Sequence, residues 1–376
     1  MPTAPSASLV NTLAQQAGFA LGGIAPVPPA DSPMTREERA RFDQWIATGA
    51  AGEMEYLKRR NENGELVRST LHAVFPWVKS VVVCAANYNT DQPHSTDPAP
   101  KDAAWISRYA WSENRANGEP ARPSDYHKIL LKRLQSLEAA LHDHAGQFES
   151  RCYVDTGPLV ERVYARYAGI GWTAKNVTIL NQQLGSWFFI AVILTSLEPE
   201  NRIPQLAADR CGSCTRCIDA CPTQALTPYQ MDATRCISYL TIEKRGSIPE
   251  ELREGMGRNI FGCDICQDVC PWNQKSIRES SPAEDPELAP RTALVNPALD
   301  WLATMTQEDF AQWFYGSPIK RAKYEGFRRN IAIAMGNSGL TQYRPRLEEW
   351  SSDEDASVRE AASWATQQLA HEQTRK

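Results

Sequence analysis

Cys211-Gly-Ser-Cys214-Thr-Arg-Cys217-Ile-Asp-Ala-Cys221-Pro222 and, further on, Cys263-Asp-Ile-Cys266-Gln-Asp-Val-Cys270-Pro271 decide how this chain is read. Three cysteines spaced by two residues can curl around one face of a cubane while backbone N–H groups of the same turn point at its sulfurs. The fourth cysteine, followed by a proline that redirects the chain, serves a second cluster. The later set repeats this pattern, with its first member, Cys236, displaced by an insertion. Exchange of the fourth ligands assigns Cys211, Cys214, Cys217 and Cys270 to one [4Fe–4S] cluster. Cys221, Cys236, Cys263 and Cys266 take the other. Zinc also takes paired Cys-x2-Cys, but it has no use for a three-plus-one run ending in Cys-Pro, still less for two.

The rest of the composition fits a protein that moves electrons in a reducing compartment. The 376 residues suffice for two or three domains. With 42% apolar and 23% charged residues the chain is an ordinary globular one. The longest apolar run, Trp187 to Leu194, is too short to cross a bilayer, and the N-terminus has no secretory pattern. A cytoplasmic protein with no membrane partner is expected. Ten cysteines then signal metal or redox chemistry rather than disulfides. Cys84 and Cys152 stand apart from the other eight, on or beside apolar strands, and read as small buried hydrophobes. A formal charge of −5 leaves nucleic-acid binding to a local patch.

Upstream of the cysteines, helices and strands mix. Helices are expected over residues 6–17, Arg36–Gly49, Asp125–Ala145 and from near Pro158. Strands are expected at Phe19–Val27, Val78–Tyr88, Arg151–Asp155, Val177–Leu180 and Trp187–Leu197. Residues 91–102, 112–124 and 279–290 read as loops. The pattern predicts an α+β fold with domains over residues 1–205, 206–278 and 291–376, the last helical. There Phe327-Arg328-Arg329-Asn330-Ile331-Ala332 and Val358-Arg359-Glu360-Ala361-Ala362 align at a period of 31, as a HEAT-like pair or as two unrelated amphipathic helices. About 200 residues precede the clusters, far more than a ferredoxin needs, so the clusters are expected to feed a reaction housed there.

Several stretches carry a resemblance: Tyr153-Val-Asp-Thr-Gly-Pro-Leu-Val-Glu-Arg162, Ala168-Gly-Ile-Gly-Trp-Thr-Ala-Lys-Asn176, Leu184-Gly-Ser-Trp-Phe-Phe189, Cys236-Ile-Ser-Tyr-Leu-Thr-Ile-Glu243, Gly262 to Trp272, and Arg328-Arg-Asn-Ile331. In that order they resemble epoxyqueuosine reductases. The resemblance implies a reductive-dehalogenase-like, cobalamin-binding N-terminal domain, a bacterial-ferredoxin-like two-cluster domain and a HEAT-like helical region that binds tRNA. The implied enzyme is a monomer fed by a flavodoxin- or ferredoxin-type electron donor. It reduces epoxyqueuosine to queuosine at the wobble position of tRNA, the final step of that modification. The implied cobalamin is base-off, in keeping with the absence of an Asp-x-His-x-x-Gly motif. Where the family runs directly into its Asp-Tyr-His segment, this chain inserts residues 112–124 between Arg108-Tyr-Ala-Trp111 and Ser124-Asp-Tyr-His127. A cobalamin reductase of halogenated molecules and a simple electron carrier are the competing readings.

The resemblance makes Asp155 the general acid that protonates the opened epoxide oxygen, in contact with the cofactor. By itself Asp155 reads equally well as the cap of a helix starting at Pro158. Arg68, Ser107, Ile179, Ile190 and Ser238 are placed beside the corrin by the same resemblance, although Ile179 and Ile190 alone would pass for core. Arg162 could face substrate phosphate or simply solvent. Lys320, Arg321, Lys323, Arg328 and Arg329, with Lys244, are the candidate tRNA contacts; a run of cations is otherwise a solvated face.

Overall fold

The computed structural model describes residues 4–115, 122–274 and 285–374. The chain forms two compact units. The first comprises Met1–Asn89, Tyr126–Cys214 and Pro271–Ala283; the second comprises Thr90–Asp125, Thr215–Cys270 and Glu284–Lys376.

The first unit is built on a four-stranded sheet, with β1 (Leu21–Pro26), β2 (Ser80–Asn87), β3 (Ser150–Tyr153) and β4 (Phe188–Thr195). The strand order is β1-β2-β4-β3 and every pairing is antiparallel; Val83 lies opposite Gly23 on one side and Val192 on the other. The two central strands are apolar almost throughout because the sheet is covered. Val81, Val83, Val192 and Leu194 enter one core with Leu159, Ala165 and Tyr167. Cys84 lies fully buried in β2 and burial pushes its thiol up. Burial and the Glu138 carboxylate push the Cys152 thiol up to about 12. Both remain protonated thiols at neutral pH, Cys84 buried and Cys152 half-buried.

Helices α1 (Ala7–Gln16), α2 (Pro33–Ala47), α3 (Tyr126–Ala145) and α4 (Glu161–Tyr167) complete this unit. Ser6 and Ser32 cap α1 and α2 through their hydroxyls. Helix α1 approaches β1 so closely that a Cβ on Gly22 would lie 2.4 Å from that of Ala14. Helix α4 does not begin near Pro158, as its sequence suggests, but at Glu161 behind a Val160 cap. The intervening loop is held out of helical geometry: Asp155 has φ +55° and the Arg68 guanidinium donates to the Leu159 carbonyl at 3.0 Å.

The second unit contains short strands and many helices. Trp105–Ile106 runs parallel to Asn259–Phe261. Ser112–Asn114, expected as loop, pairs with Arg122–Pro123 and Ala289–Pro290. One partner, Ala289–Pro290, is distant in sequence, and local pattern does not reveal it. Residues 279–284 of the second expected loop lie outside the described residues. Helices Lys323–Ser338 and Ala356–Thr374 pack on each other, burying Ile331, Ala332, Ala361 and Ala362. The first ends at Gly339 with φ +68°, and Asp355 caps the second by accepting from the Ser357 and Val358 N–H groups. No described helix is long and apolar enough to cross a membrane.

The closest point of that helix pair is testable. A Cβ on Gly336 would lie 2.8 Å from the Ala365 Cα. Gly336→Ala should destabilise the fold by about 1–3 kcal/mol through overpacking. In the same helix Gly326 has only the Arg329 guanidinium within 4 Å. Gly326→Ala should instead gain up to about 1 kcal/mol from helix propensity. Thermal unfolding of both variants measures the difference.

Candidate active site and cluster ligands

Six of the cluster cysteines lie in the second unit, and five of them, Cys217, Cys221, Cys236, Cys263 and Cys266, are linked by electrostatic influence. Their surroundings suit sulfur-bound iron. The Ala225 N–H reaches Cys221 Sγ at 3.3 Å, the Ser238 and Tyr239 N–H groups reach Cys236, and the Ile265 N–H reaches Cys263. Such donors stabilise the thiolate and the cluster sulfurs. Burial pushes the Cys263 and Cys266 thiols well above their ordinary range, so iron must displace protons there to bind. Among the described residues no group of three or more His, Cys, Asp or Glu side chains is set up to hold a single metal ion.

Short helices Arg216–Asp219 and Ile265–Asp268 carry Cys217 and Cys266, and they pack together as the duplicated motifs lead one to expect. Cys270 is buried in the same unit. Cys211 and Cys214 belong to the first unit, where their turn is fixed from both sides. The Asp209 carboxylate accepts from the Cys211 N–H at 2.8 Å. Lys175 Nζ donates to the Gly212 and Cys214 carbonyls at 2.6 and 3.0 Å.

A polar layer supports the ligands of the second unit. Asp264, next to Cys263, is buried and accepts from Trp105 Nε1, the Ser107 hydroxyl and the Arg108 N–H. Ser107 is packed so tightly that a Cβ on Gly262 would lie 2.4 Å from its own. Asp268 accepts from His94 Nδ1 at 2.6 Å. Ser107 and Ser238, linked by resemblance to a corrin, thus give their hydroxyls to Asp264 and Cys236.

The first unit holds Asp155. Its side chain is 51% exposed, so the protein does not bury it. It also caps no helix, since α4 has no side-chain cap. Instead Asp155 Oδ2 accepts the Tyr126 hydroxyl at 2.5 Å and lies 3.9 Å from His127 Nε2. Tyr126 is stacked face to face on Phe189, with ring centroids 4.0 Å apart, and Tyr88 packs against Phe189 at 4.4 Å. The carboxyl therefore stands beside a flat aromatic wall, aimed by a phenol that packing immobilises. Ile179 is in the core, Ile190 is half-buried at its margin and Arg68 is half-buried. Arg162 is exposed and donates to the Val177 carbonyl at 2.7 Å. Tyr126 and His127, both in the Ser124-Asp-Tyr-His127 segment, are the side chains set against Asp155.

The basic run divides. Arg329 is 1% exposed and donates to the carbonyls of Leu240, Lys244 and Gly246 and to Asn330 Oδ1. Asn330 in turn donates to the Thr241 and Ile260 carbonyls. Arg328 pairs with Asp353 at 2.5 Å and lies over the Trp350 ring. Both side chains are engaged within the protein, Arg329 almost wholly buried. Arg321 pairs with Glu243 at 2.6 Å. Lys320, beside the 71% exposed Tyr315, and Lys323, with φ +62°, are exposed, and Lys244 is half-buried.

A family model described as epoxyqueuosine reductase QueG, DUF1730, matches residues 68–156, and one described as a 4Fe-4S double cluster binding domain matches residues 210–273. The chain is 35% identical to the epoxyqueuosine reductase of Xanthomonas campestris over 96% of both proteins. It is 35% identical to that of Escherichia coli, covering 96% of this chain and 90% of that protein. Among solved structures, an epoxyqueuosine reductase with a tRNA-Tyr epoxyqueuosine-modified stem loop superposes with a TM-score of 0.78 at 28% identity, covering 96% of this chain and 89% of that one. The epoxyqueuosine reductase of Streptococcus thermophilus gives the same score at 26% identity over 96% and 90%.

The ligand set predicts a stoichiometry. The reconstituted chain should hold about eight irons, four per cubane. Cys236→Ser should lower this to about four and remove one of two cluster signals in EPR of the reduced protein. Full iron content in that variant would exclude Cys236 as a ligand.

Proposed function

The chain belongs to the epoxyqueuosine reductase family, and we propose that it reduces epoxyqueuosine to queuosine at the wobble position of tRNA. The two nucleosides differ by one oxygen. Removing an epoxide oxygen as water takes two electrons and two protons, breaks both C–O bonds and leaves a carbon–carbon double bond. Two [4Fe–4S] clusters on the eight cysteines would pass the electrons singly from an external flavodoxin- or ferredoxin-type carrier. Base-off cobalamin, implied by the family resemblance, would supply a strongly reducing cobalt centre beside the substrate, with Arg68 and Ile190 among its neighbours. The enzyme would work as a cytoplasmic monomer, with a HEAT-like helix pair in the tRNA-binding region.

The observation that carries this reading is Asp155: a half-exposed carboxyl on an immobilised tyrosine, at the general-acid position of the family motif. Its task is to hold a proton at the epoxide oxygen, so that the C–O bond breaks toward a neutral hydroxyl and not an alkoxide. Asp155→Asn tests this cleanly, because Asn adopts φ +55° as readily as Asp. The variant should keep its melting temperature and both clusters. Turnover of epoxyqueuosine-containing tRNA should fall by roughly 10²–10⁴. Turnover at the parent rate would rule out the proton-donor role.

For the tRNA, Lys320 and Lys323 are the exposed lysines of the basic run. Reversing both to Glu should weaken tRNA binding and reduce the slope of log K against log salt by roughly 1.5. Iron content should be unchanged. An unaltered salt series would return this stretch to a merely solvated face.

A further inference from the structure

The proposed reaction consumes two protons for each oxygen removed, and Asp155 carries one. The loop that holds Asp155 leads directly into Glu161, the first residue of α4. Glu161 Oε1 is shut off from solvent and has no hydrogen-bond partner among the described residues. An ionised carboxylate left so costs several kcal/mol unless a cation meets it. Two cations are near, and both favour the ionised form, but less than burial opposes it; each also donates to a carbonyl, Arg68 to that of Leu159 and Arg162 to that of Val177, and neither hydrogen-bonds Glu161 Oε1. The strands packed against α4 bring no charged side chain, and Cys84 is their only ionisable group. On α4 itself, Arg166 is paired with Glu38. Asp155 is the one carboxylate whose charge bears on Glu161, and it favours the protonated form.

We propose that Glu161 is the proton store behind Asp155. This rests on the reading of Asp155 as the general acid. Two electrons arrive from the reduced external carrier through the clusters. As the first C–O bond breaks, Asp155 gives its proton to the oxygen and becomes a carboxylate. Glu161 then protonates Asp155, which delivers the second proton as the remaining C–O bond breaks. Water leaves, the carbon–carbon double bond forms, and solvent reprotonates both carboxylates. Glu161 is a positioning residue here, since it acts through Asp155 and need not touch the substrate. Burial and the neighbouring Asp155 push its carboxyl up to about 7. The store is thus filled below that pH and empties above it.

Glu161→Gln, Glu161→Asp and Asp155→Asn should be compared in the cluster-loaded protein. Glu161→Gln should retain its iron and melting temperature while kcat on epoxyqueuosine-containing tRNA falls roughly 10- to 100-fold with KM unchanged. The parent rate should decline as pH rises through about 7; that decline should vanish in Glu161→Gln and return in Glu161→Asp, which also recovers part of the rate. An infrared titration without substrate should show a protonated-carboxyl band disappearing near the same pH in the parent and missing from Glu161→Gln. This readout needs no turnover, and Glu161→Asp supplies it if Glu161→Gln fails to fold. Parent-like kcat and pH profile in Glu161→Gln, or no such band in the parent, would overturn the proposal. If Asp155→Asn is crippled while Glu161→Gln is unaffected, only the store fails; if Asp155→Asn turns over normally, the general-acid reading fails with it.

Discussion

The cluster-bearing unit depends on one buried guanidinium. Arg329 places its donors on the Leu240 carbonyl of the helix Ile237–Ile242, on the Lys244 and Gly246 carbonyls just after it, and on its neighbour Asn330, which ties down Thr241 and Ile260. A charge taken out of water is tolerated only when its hydrogen bonds are met, and here they are met by carbonyls that would otherwise be left unpaired. Those carbonyls lie on the two segments that bracket the insertion between Cys236 and Cys263. The Gly262 N–H donates to the Thr241 hydroxyl at 2.9 Å and joins the same segments. The displaced cysteine is therefore brought back to its motif by the helical tail, not by the cysteine motif itself.

In the first unit the corresponding constraint is conformational. Asp155 has φ +55°, a region that Asp and Asn enter more easily than other side chains with a Cβ. Gly157 follows, where a Cβ would lie 2.4 Å from Leu159. Together they keep the chain from starting α4 at Pro158. The delay leaves the Asp155 carboxyl on Tyr126 instead of on backbone N–H groups. Tertiary packing thus overrides the local tendency of this aspartate to cap a helix at Pro158.

How much could be read from the sequence follows from the range of the interactions involved. The cysteines were legible because a cubane imposes its spacing on the chain within a dozen residues. The strands at Ser80–Asn87 and Phe188–Thr195 were legible because burial on both faces leaves an apolar run. The fate of Arg328 and Arg329 was not: their partners Asp353 and Leu240 are 25 and 89 residues away, and nothing local distinguishes them from Lys320. Ser112–Asn114 was hidden for the same reason. Pro158 misled because it is an excellent first-turn residue whose loop is held by the distant Arg68.

The order of the segments has a consequence for biosynthesis. Residues 90–125 leave the ribosome early, yet Trp105 and Ser107 find their acceptor in Asp264, 159 and 157 residues later. At translation rates of about 5–20 residues per second, that segment waits roughly 10–30 s for its partner. The clamp made by Arg329 comes later still. Iron can thus be captured in its final setting only once nearly the whole polypeptide has been made, and until then the exposed thiols and Trp105 are open to oxidation, aggregation or chaperones.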